Sequence, residues 1–208
     1  MYRDFNALLQ ARQGDLQPTR RAIVAGAVDE HALQAVFDTS LRERVRPVLV
    51  GDQKAVVGLL DQLGFAGLLH EIVHCPTGEN PAQTAVRLVR EHQGDFIIKG
   101  RLETRDLLKP ILNRETGLNQ RGFITHFGLM QLQGYPRLLA MSDSAVIPHP
   151  TLEEKVQIIK ACVEALCRLG YARPVVGALC AVETVNEKMP ETLDARVLQD
   201  LSDAGAFS

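Results

Sequence analysis

Apolar residues fall into two rhythms along the first half of the chain. Short runs of small and β-branched residues alternate with longer stretches in which apolar positions recur three or four apart. Arg21 to Ala27, Pro47 to Val50, Glu71 to Cys75 and Phe96 to Lys99 have the first rhythm and read as strands. Phe5, Leu8 and Leu9 stripe an N-terminal helix that Gly14 to Pro18 ends. Asp29 caps a helix striped by Leu33, Val36, Phe37 and Leu41, and another helix follows Gly51-Asp52 to about Leu63. Asn80 is a cap, Pro81 takes the first helical position and Gln83 can complete a capping box. After Lys99-Gly100 the spacing predicts a helix capped by Thr104, with Leu107, Leu108, Ile111 and Leu112 on its apolar side. Strand and helix alternate with no hairpin signal between them, which predicts a mostly parallel sheet with helices on both faces.

After Gly117 the rhythm changes. Phe123 to Leu132 and Arg137 to Met141 are strand-like and joined through Gly134-Tyr135-Pro136. That spacing is too short for a parallel crossover, so an antiparallel hairpin is expected. A boundary near Leu118 then gives two domains, 1–118 and 119–208. Thr151 and Glu154 form a capping box for a helix running to about Leu169, with Val156, Ile159, Val163 and Leu166 as its buried stripe. Val175 to Val182 reads as a buried strand, Glu183 to Glu191 as a polar loop, and a final helix starts near Leu193. The fold class expected is two-domain α/β, with mostly parallel sheets sandwiched by helices and a second domain that starts with the hairpin.

Composition narrows the partners. Across 208 residues, 46% are hydrophobic and 23% charged, enough to fill a core. A formal net charge of -2 gives no support to nucleic-acid binding, and no apolar run is long enough for a bilayer, so neither partner is expected. Met1 to Gln10 mixes charged and apolar residues and reads as an amphipathic helix, not a signal peptide. Cys75, Cys162, Cys167 and Cys180 form no Cys-x-x-Cys pair, and the last three sit among apolar neighbours. A reduced, cytoplasmic protein without structural zinc is expected.

The richest chemistry lies between Asp95 and Gly117. A helix start just beyond a strand's C-terminal end points free N–H groups at the crevice where α/β sheets bind ligands. Lys99, Arg101, Arg105 and Lys109 crowd the same stretch, which suits an anion and phosphate above all. The same residues also fit a plain turn with solvated cations. His70-Glu71-Ile72-Val73-His74 satisfies the zinc-protease pattern, but that chemistry needs a helix. On a strand the two histidines would lie about 13 Å apart. Gly26, Gly51 and Gly100 fall at strand ends without forming a dinucleotide fingerprint or a P-loop. Ser142-Asp143-Ser144 can contact a ligand or simply close a turn. No Ser-His-Asp or Cys-His set stands out.

Lys99-Gly100, Thr104, Asp106 to Lys109, Leu112 to Glu115 and Gly117-Leu118 together resemble the phosphate acetyltransferase/butyryltransferase family, nearer its butyryltransferase branch. Further matches follow in order: Tyr135 to Leu139, Ser142 to Ala145, Pro150 to Lys155, Ala181 to Asn186, and Lys188 to Pro190 with Thr192 and Asp194. The resemblance implies two α/β domains with the site between them, and transfer of a short acyl group between coenzyme A and inorganic phosphate. It implies acyl-CoA and phosphate as partners, a homodimer, no metal and no permanently bound cofactor, the coenzyme A thioester being substrate. Lys99, Gly100, Thr104, Asp106, Lys109, Ser142 and Asp143 become its substrate- and phosphate-binding residues. The family's catalytic Ser-Arg pair and aspartate belong to a segment beyond residue 208, so the catalytic residues stay unassigned and a truncated chain is expected. A non-catalytic phosphate- or CoA-binding regulator of the same fold is the alternative, with a fatty acyl-phosphate synthase as a third reading.

Overall fold

A computed structural model describes residues 2–12, 19–38, 44–119 and 122–207. It divides into two compact units, one of residues 14–122 and the other of 1–13 with 123–208.

In the first unit, β1 (Arg20–Ala25), β2 (Val45–Gly51), β3 (Glu71–His74) and β4 (Phe96–Lys99) form one sheet in the order β3-β2-β1-β4. All pairings are parallel, with Ala22 beside both Pro47 and Phe96. Pro47 is tolerated in a central strand because pairing with β3 begins only at Val48. The strands are apolar on both faces because both faces are covered. On one face Ala22, Val24 and Leu49 pack with Leu33, Val36 and Phe37 of α2 (Glu30–Phe37) and with Val56 and Leu60 of α3 (Gln53–Leu63). On the other, Ile23, Ala25, Val48 and Val50 meet Ala85 and Leu88 of α4 (Pro81–Arg90). Asp29 and Asn80 each accept a backbone N–H at the head of the helix they precede, as the sequence leads one to expect, and Asp52 does the same for α3. The expected helix-ending segment Gly14–Pro18, and Leu41 of the expected stripe, lie outside the described residues.

Gly58 sits on the exposed side of α3 with open space where a Cβ would stand. Gly58→Ala should therefore stabilise the protein by up to about 1 kcal/mol through helix propensity. A rise in melting temperature with unchanged folded-state circular dichroism is the expected result.

In the second unit, β5 (Gly128–Met130) and β6 (Leu139–Met141) form the antiparallel hairpin, shorter than the apolar runs suggest. Helix α6 (Leu152–Arg168) opens on the Thr151–Glu154 capping box. Its most buried residue is Ile158, one place from the expected stripe, whose members are half-buried. Helix α7 (Pro190–Asp203) is tied to α6 by Lys155 Nζ on Asp194 Oδ2 at 2.6 Å. Thr192 is buried and stitches the preceding loop, its Oγ1 bonding to Asn186 and Met189. Helix α1 (Phe5–Ala11) belongs to this unit rather than to the first domain in which the sequence placed it. Gln131 accepts the Phe5 N–H at 3.1 Å, Leu138 N–H donates to Tyr2, and the Tyr2 ring stands edge-on to Tyr171.

Two expectations are corrected here. Val175 to Val182 is not a strand, and Val175 and Leu179 are each 92% exposed. An apolar run becomes a buried strand only where a neighbouring strand takes its N–H and C=O groups, and among the described residues none does. The buried thiol is Cys75, whereas Cys167 is exposed and Cys162 and Cys180 are half-buried.

Candidate functional site

The strand order changes direction between β1 and β4: the chain leaves β1 for β2 and β3, then returns to lay β4 on the other side. In open parallel sheets that switch point is where a crevice opens at the strands' C-terminal ends. Here two glycines bring the turns after β1 and β4 into contact. Gly26 has φ 74°, and its carbonyl accepts Arg101 N–H at 2.8 Å, while Gly100 N–H donates to Ala25 O at 2.9 Å. A Cβ on Gly100 would stand 2.2 Å from Gly26 O.

From this contact the chain enters α5 (Thr104–Ile111). Thr104 is the first helical residue and not the cap, which is Glu103 in an extended conformation with no side-chain cap hydrogen bond. The start lies one residue earlier than the Thr104 signal implied, and glutamate is a poor cap because its longer chain does not sit over the first turn. Asp106 and Leu107 N–H both bond to Glu103 O. The N–H groups of Thr104 and Arg105 have no partner among the described residues, so the helix start keeps two donors and its positive dipole end.

Lys99 does not extend outward: its Nζ donates to Leu102 O at 3.0 Å and stabilises the turn that leads into α5. Asp106 stays solvent-accessible beside Arg105, and its backbone carbonyl accepts from Asn80 Nδ2 at 3.0 Å. Asn80 thus does two things, capping α4 with its oxygen and tying α5 to α4 with its nitrogen. The sequence showed only the first. Lys109 lies in the last turn of α5, about 7.5 Å along the axis from Thr104 and on the side of Arg105 and Asp106. Gly100, Thr104 and the turn held by Lys99 therefore form one feature, with Lys109 a turn further on. Asn113 ends the helix, its side chain accepting Glu115 and Thr116 N–H and its carbonyl accepting Gly117 N–H.

Ser142 and Asp143 lie in the other unit, where Asp143 is an organiser of the backbone. Its Oδ1 accepts N–H groups of Ala145, Val146 and Ile147 at 2.9, 2.8 and 3.2 Å. Its Oδ2 takes His126 N–H at 2.8 Å and the Thr125 hydroxyl at 2.7 Å. Burial alone would raise this carboxyl, but the N–H groups of Val146 and His126, the Thr125 hydroxyl and Ala145 N–H outweigh it and hold it well below the usual range. Ser142 donates to His126 O. Ser144 Oγ lies 2.8 Å from His126 Nδ1. His126, and its pairing with Ser144, were missed in the sequence because the two residues are far apart along it; only the hairpin register sets residue 126 opposite 143.

The other candidates fall away on geometry. Glu71–His74 is a strand, so the zinc-protease spacing is coincidental; His70 Nδ1 bonds Leu68 O, and His74 Nδ1 accepts Gln53 N–H. Burial pushes the Cys75 thiol up, the charge of Glu79 adds to this, and a hydrogen bond with Thr84 opposes it, which leaves a poor nucleophile.

The chain is 33% identical over 205 residues to the phosphate butyryltransferase of Clostridium acetobutylicum, covering 99% of this chain and 67% of that one. It is 34% identical over 187 residues to the phosphate acetyltransferase of Thermotoga maritima, covering 89% and 63%. In fold it is similar to the crystal structure of a branched-chain phosphotransacylase from Enterococcus faecalis, with TM-score 0.71, 22% identity, and 88% and 63% of the two chains covered. The chain thus spans about two thirds of the length of these relatives. Residues 56–207 match the family described as phosphate acetyl/butaryl transferase, and the protein belongs to that family.

Proposed function

We propose that this chain carries phosphate acyltransferase chemistry, moving a short acyl group such as butyryl or acetyl between coenzyme A and inorganic phosphate. The observation that carries the reading, beside family membership, is the α5 start: two N–H groups with no partner among the described residues, at the sheet's switch point, in a stretch that carries Arg101, Arg105 and Lys109. Phosphate accepts the N–H groups of Thr104 and Arg105, and Gly100 lets the chain approach without a side chain. Lys99 acts indirectly, by fixing the turn. Helical side chains lean toward the N-terminus, so the Lys109 ammonium reaches back over the Arg105 turn and supplies charge there. Ser142 and Asp143 contribute through the turn they build. Metal and permanently bound cofactors have no role in this reading. A cytoplasmic homodimer completes it, and the four free cysteines fit a reducing compartment.

Release of coenzyme A from butyryl-CoA should require added phosphate, and acetyl-CoA should show whether the shorter chain is accepted. Absence of phosphate-dependent release from either thioester would remove the reading. Lys109→Ala should raise the phosphate concentration for half-maximal rate about 5- to 10-fold, as expected for loss of one charge contact of about 1 kcal/mol. An unchanged phosphate requirement would take Lys109 out of the site.

A further inference from the structure

The apolar segment that follows α6 has the alternation of a strand, although no strand pairs with it. Pro174, Val176 and Ala178 line a cavity together with Ile159 and Val163 of α6 and Leu198 of α7. Val175 and Leu179, between and beside them, face away and are 92% exposed. Gly177 has open space where a Cβ would stand. A period of two is that of extended chain resting one face on a helical layer. Residues 175–182 make no backbone hydrogen bond among the described residues, so the edges of the segment are open to a further strand.

Charge indicates the occupant. Pro174 to Val182 carries none, while Arg173 and Glu183 flank it, five residues to either side of Ala178. Both are exposed, and neither has an ion-pair partner among the described residues. When a second copy lies antiparallel with the two-fold axis at Ala178, each residue faces the one equally far beyond that position. Val176 then faces Cys180 on the cavity side, Val175 faces Ala181 on the open side, and Gly177 leaves room for Leu179. Arg173 of each copy meets Glu183 of the other, and symmetry makes that pair twice. An axis at Gly177 or Leu179 would instead set Arg173 against Ala181 or Val185 and lose both pairs.

We propose that Pro174 to Val182 is a dimerisation strand that pairs antiparallel with the same segment of a second copy about an axis at Ala178, a placement that rests on the homodimer reading. Pairing gives one edge of each segment partners for its N–H and C=O groups and shields Val175 and Leu179 from water. Pro174, which has no N–H, falls at the end of the ladder, where it is tolerated.

The test is disulfide trapping in the full chain, with oligomeric state read by sedimentation and folding by circular dichroism. Ala178→Cys is placed in a Cys180→Ser chain, whose serine keeps a donor for Glu191 O. Residue 178 alone faces its own counterpart, and opposed Cα atoms of an antiparallel pair lie about 4.5–5.5 Å apart, within disulfide reach. On mild oxidation most of that protein should become a covalent dimer, and the Cys180→Ser chain alone should not. Arg173→Glu and Glu183→Arg should each weaken the dimer about fivefold or more at low salt, and the two together should regain most of the affinity. A dimeric wild type whose folded Ala178→Cys protein stays uncrosslinked would overturn this interface and leave the dimer to another surface. So would charge reversals that fail to rescue each other. A wild type that sediments as a monomer at micromolar concentration would overturn the interface and the homodimer reading together, with phosphate-dependent turnover deciding the acyltransferase reading separately. Should Ala178→Cys not fold, the charge reversals decide.

Discussion

Gly100→Ala should destabilise the parallel unit and abolish phosphate-dependent turnover together. The added Cβ would lie 2.2 Å from Gly26 O, 2.9 Å from Gly26 C and 3.0 Å from Ala25 O, and all three are backbone atoms. A flexible side chain can step aside, but here the whole turn after β1 would have to move. That turn is pinned by Gly26 N–H on Val50 O and by the Gly100 and Arg101 N–H bonds to Ala25 and Gly26. Overpacking typically costs about 1–3 kcal/mol, and the upper end is expected here because backbone and not side chain must move. For a unit of this size that is a loss on the order of 10 °C in melting temperature. Any relaxation carries the start of α5 with it, so even refolded protein should have lost the anion seat. A Gly100→Ala protein that melts within about 2 °C of wild type would show that the close approach of the two turns is not as described.

Asp143→Ala carries the second largest expected effect. It removes a carboxylate that receives four backbone N–H groups and one hydroxyl, and water can reach only part of that space. Hydrogen bonds to a charged group contribute about 1.5–3 kcal/mol each at most, and shared ones less, so a net loss on the order of 3 kcal/mol is expected. Asp143→Asn should lie between, because one oxygen site becomes an NH2 that faces other donors. The pH dependence has a definite sign. The folded carboxyl titrates below the unfolded value of 3.8, so its stabilisation is complete above that value. It declines as pH falls below the unfolded value and is gone once pH has passed below the lowered folded one. The melting difference between wild type and Asp143→Asn should therefore persist from neutral pH down to about 4 and narrow in more acidic solution. A difference that closes near neutral pH would show that another group, and not Asp143, is responsible.

The parallel unit was legible because its strands are covered on both faces, which leaves continuous apolar runs, and because Asp29, Asp52 and Asn80 mark helix starts chemically. Glu103 carries no such mark, so the α5 cap was placed one residue late, at Thr104. The Val175 to Val182 segment shows the opposite error: β-branched composition records that a strand can form but not that a partner is there to pair with it. The Gly26–Gly100 contact and the His126–Ser144 bond were invisible for a shared reason. Each joins residues far apart in sequence, and only sheet order or hairpin register brings them together. Lys99 closes β4 as its sequence run suggests, but the direction of its ammonium, onto Leu102 O, is decided by the geometry of the turn that follows, which residue spacing does not encode.

Soaking crystals of the protein in phosphate tests the anion seat most directly. The account predicts a phosphate within hydrogen-bonding distance of the Thr104 and Arg105 backbone N–H groups, lost in Gly100→Ala. Phosphate bound elsewhere, with the start of α5 left empty at concentrations that saturate turnover, would contradict it.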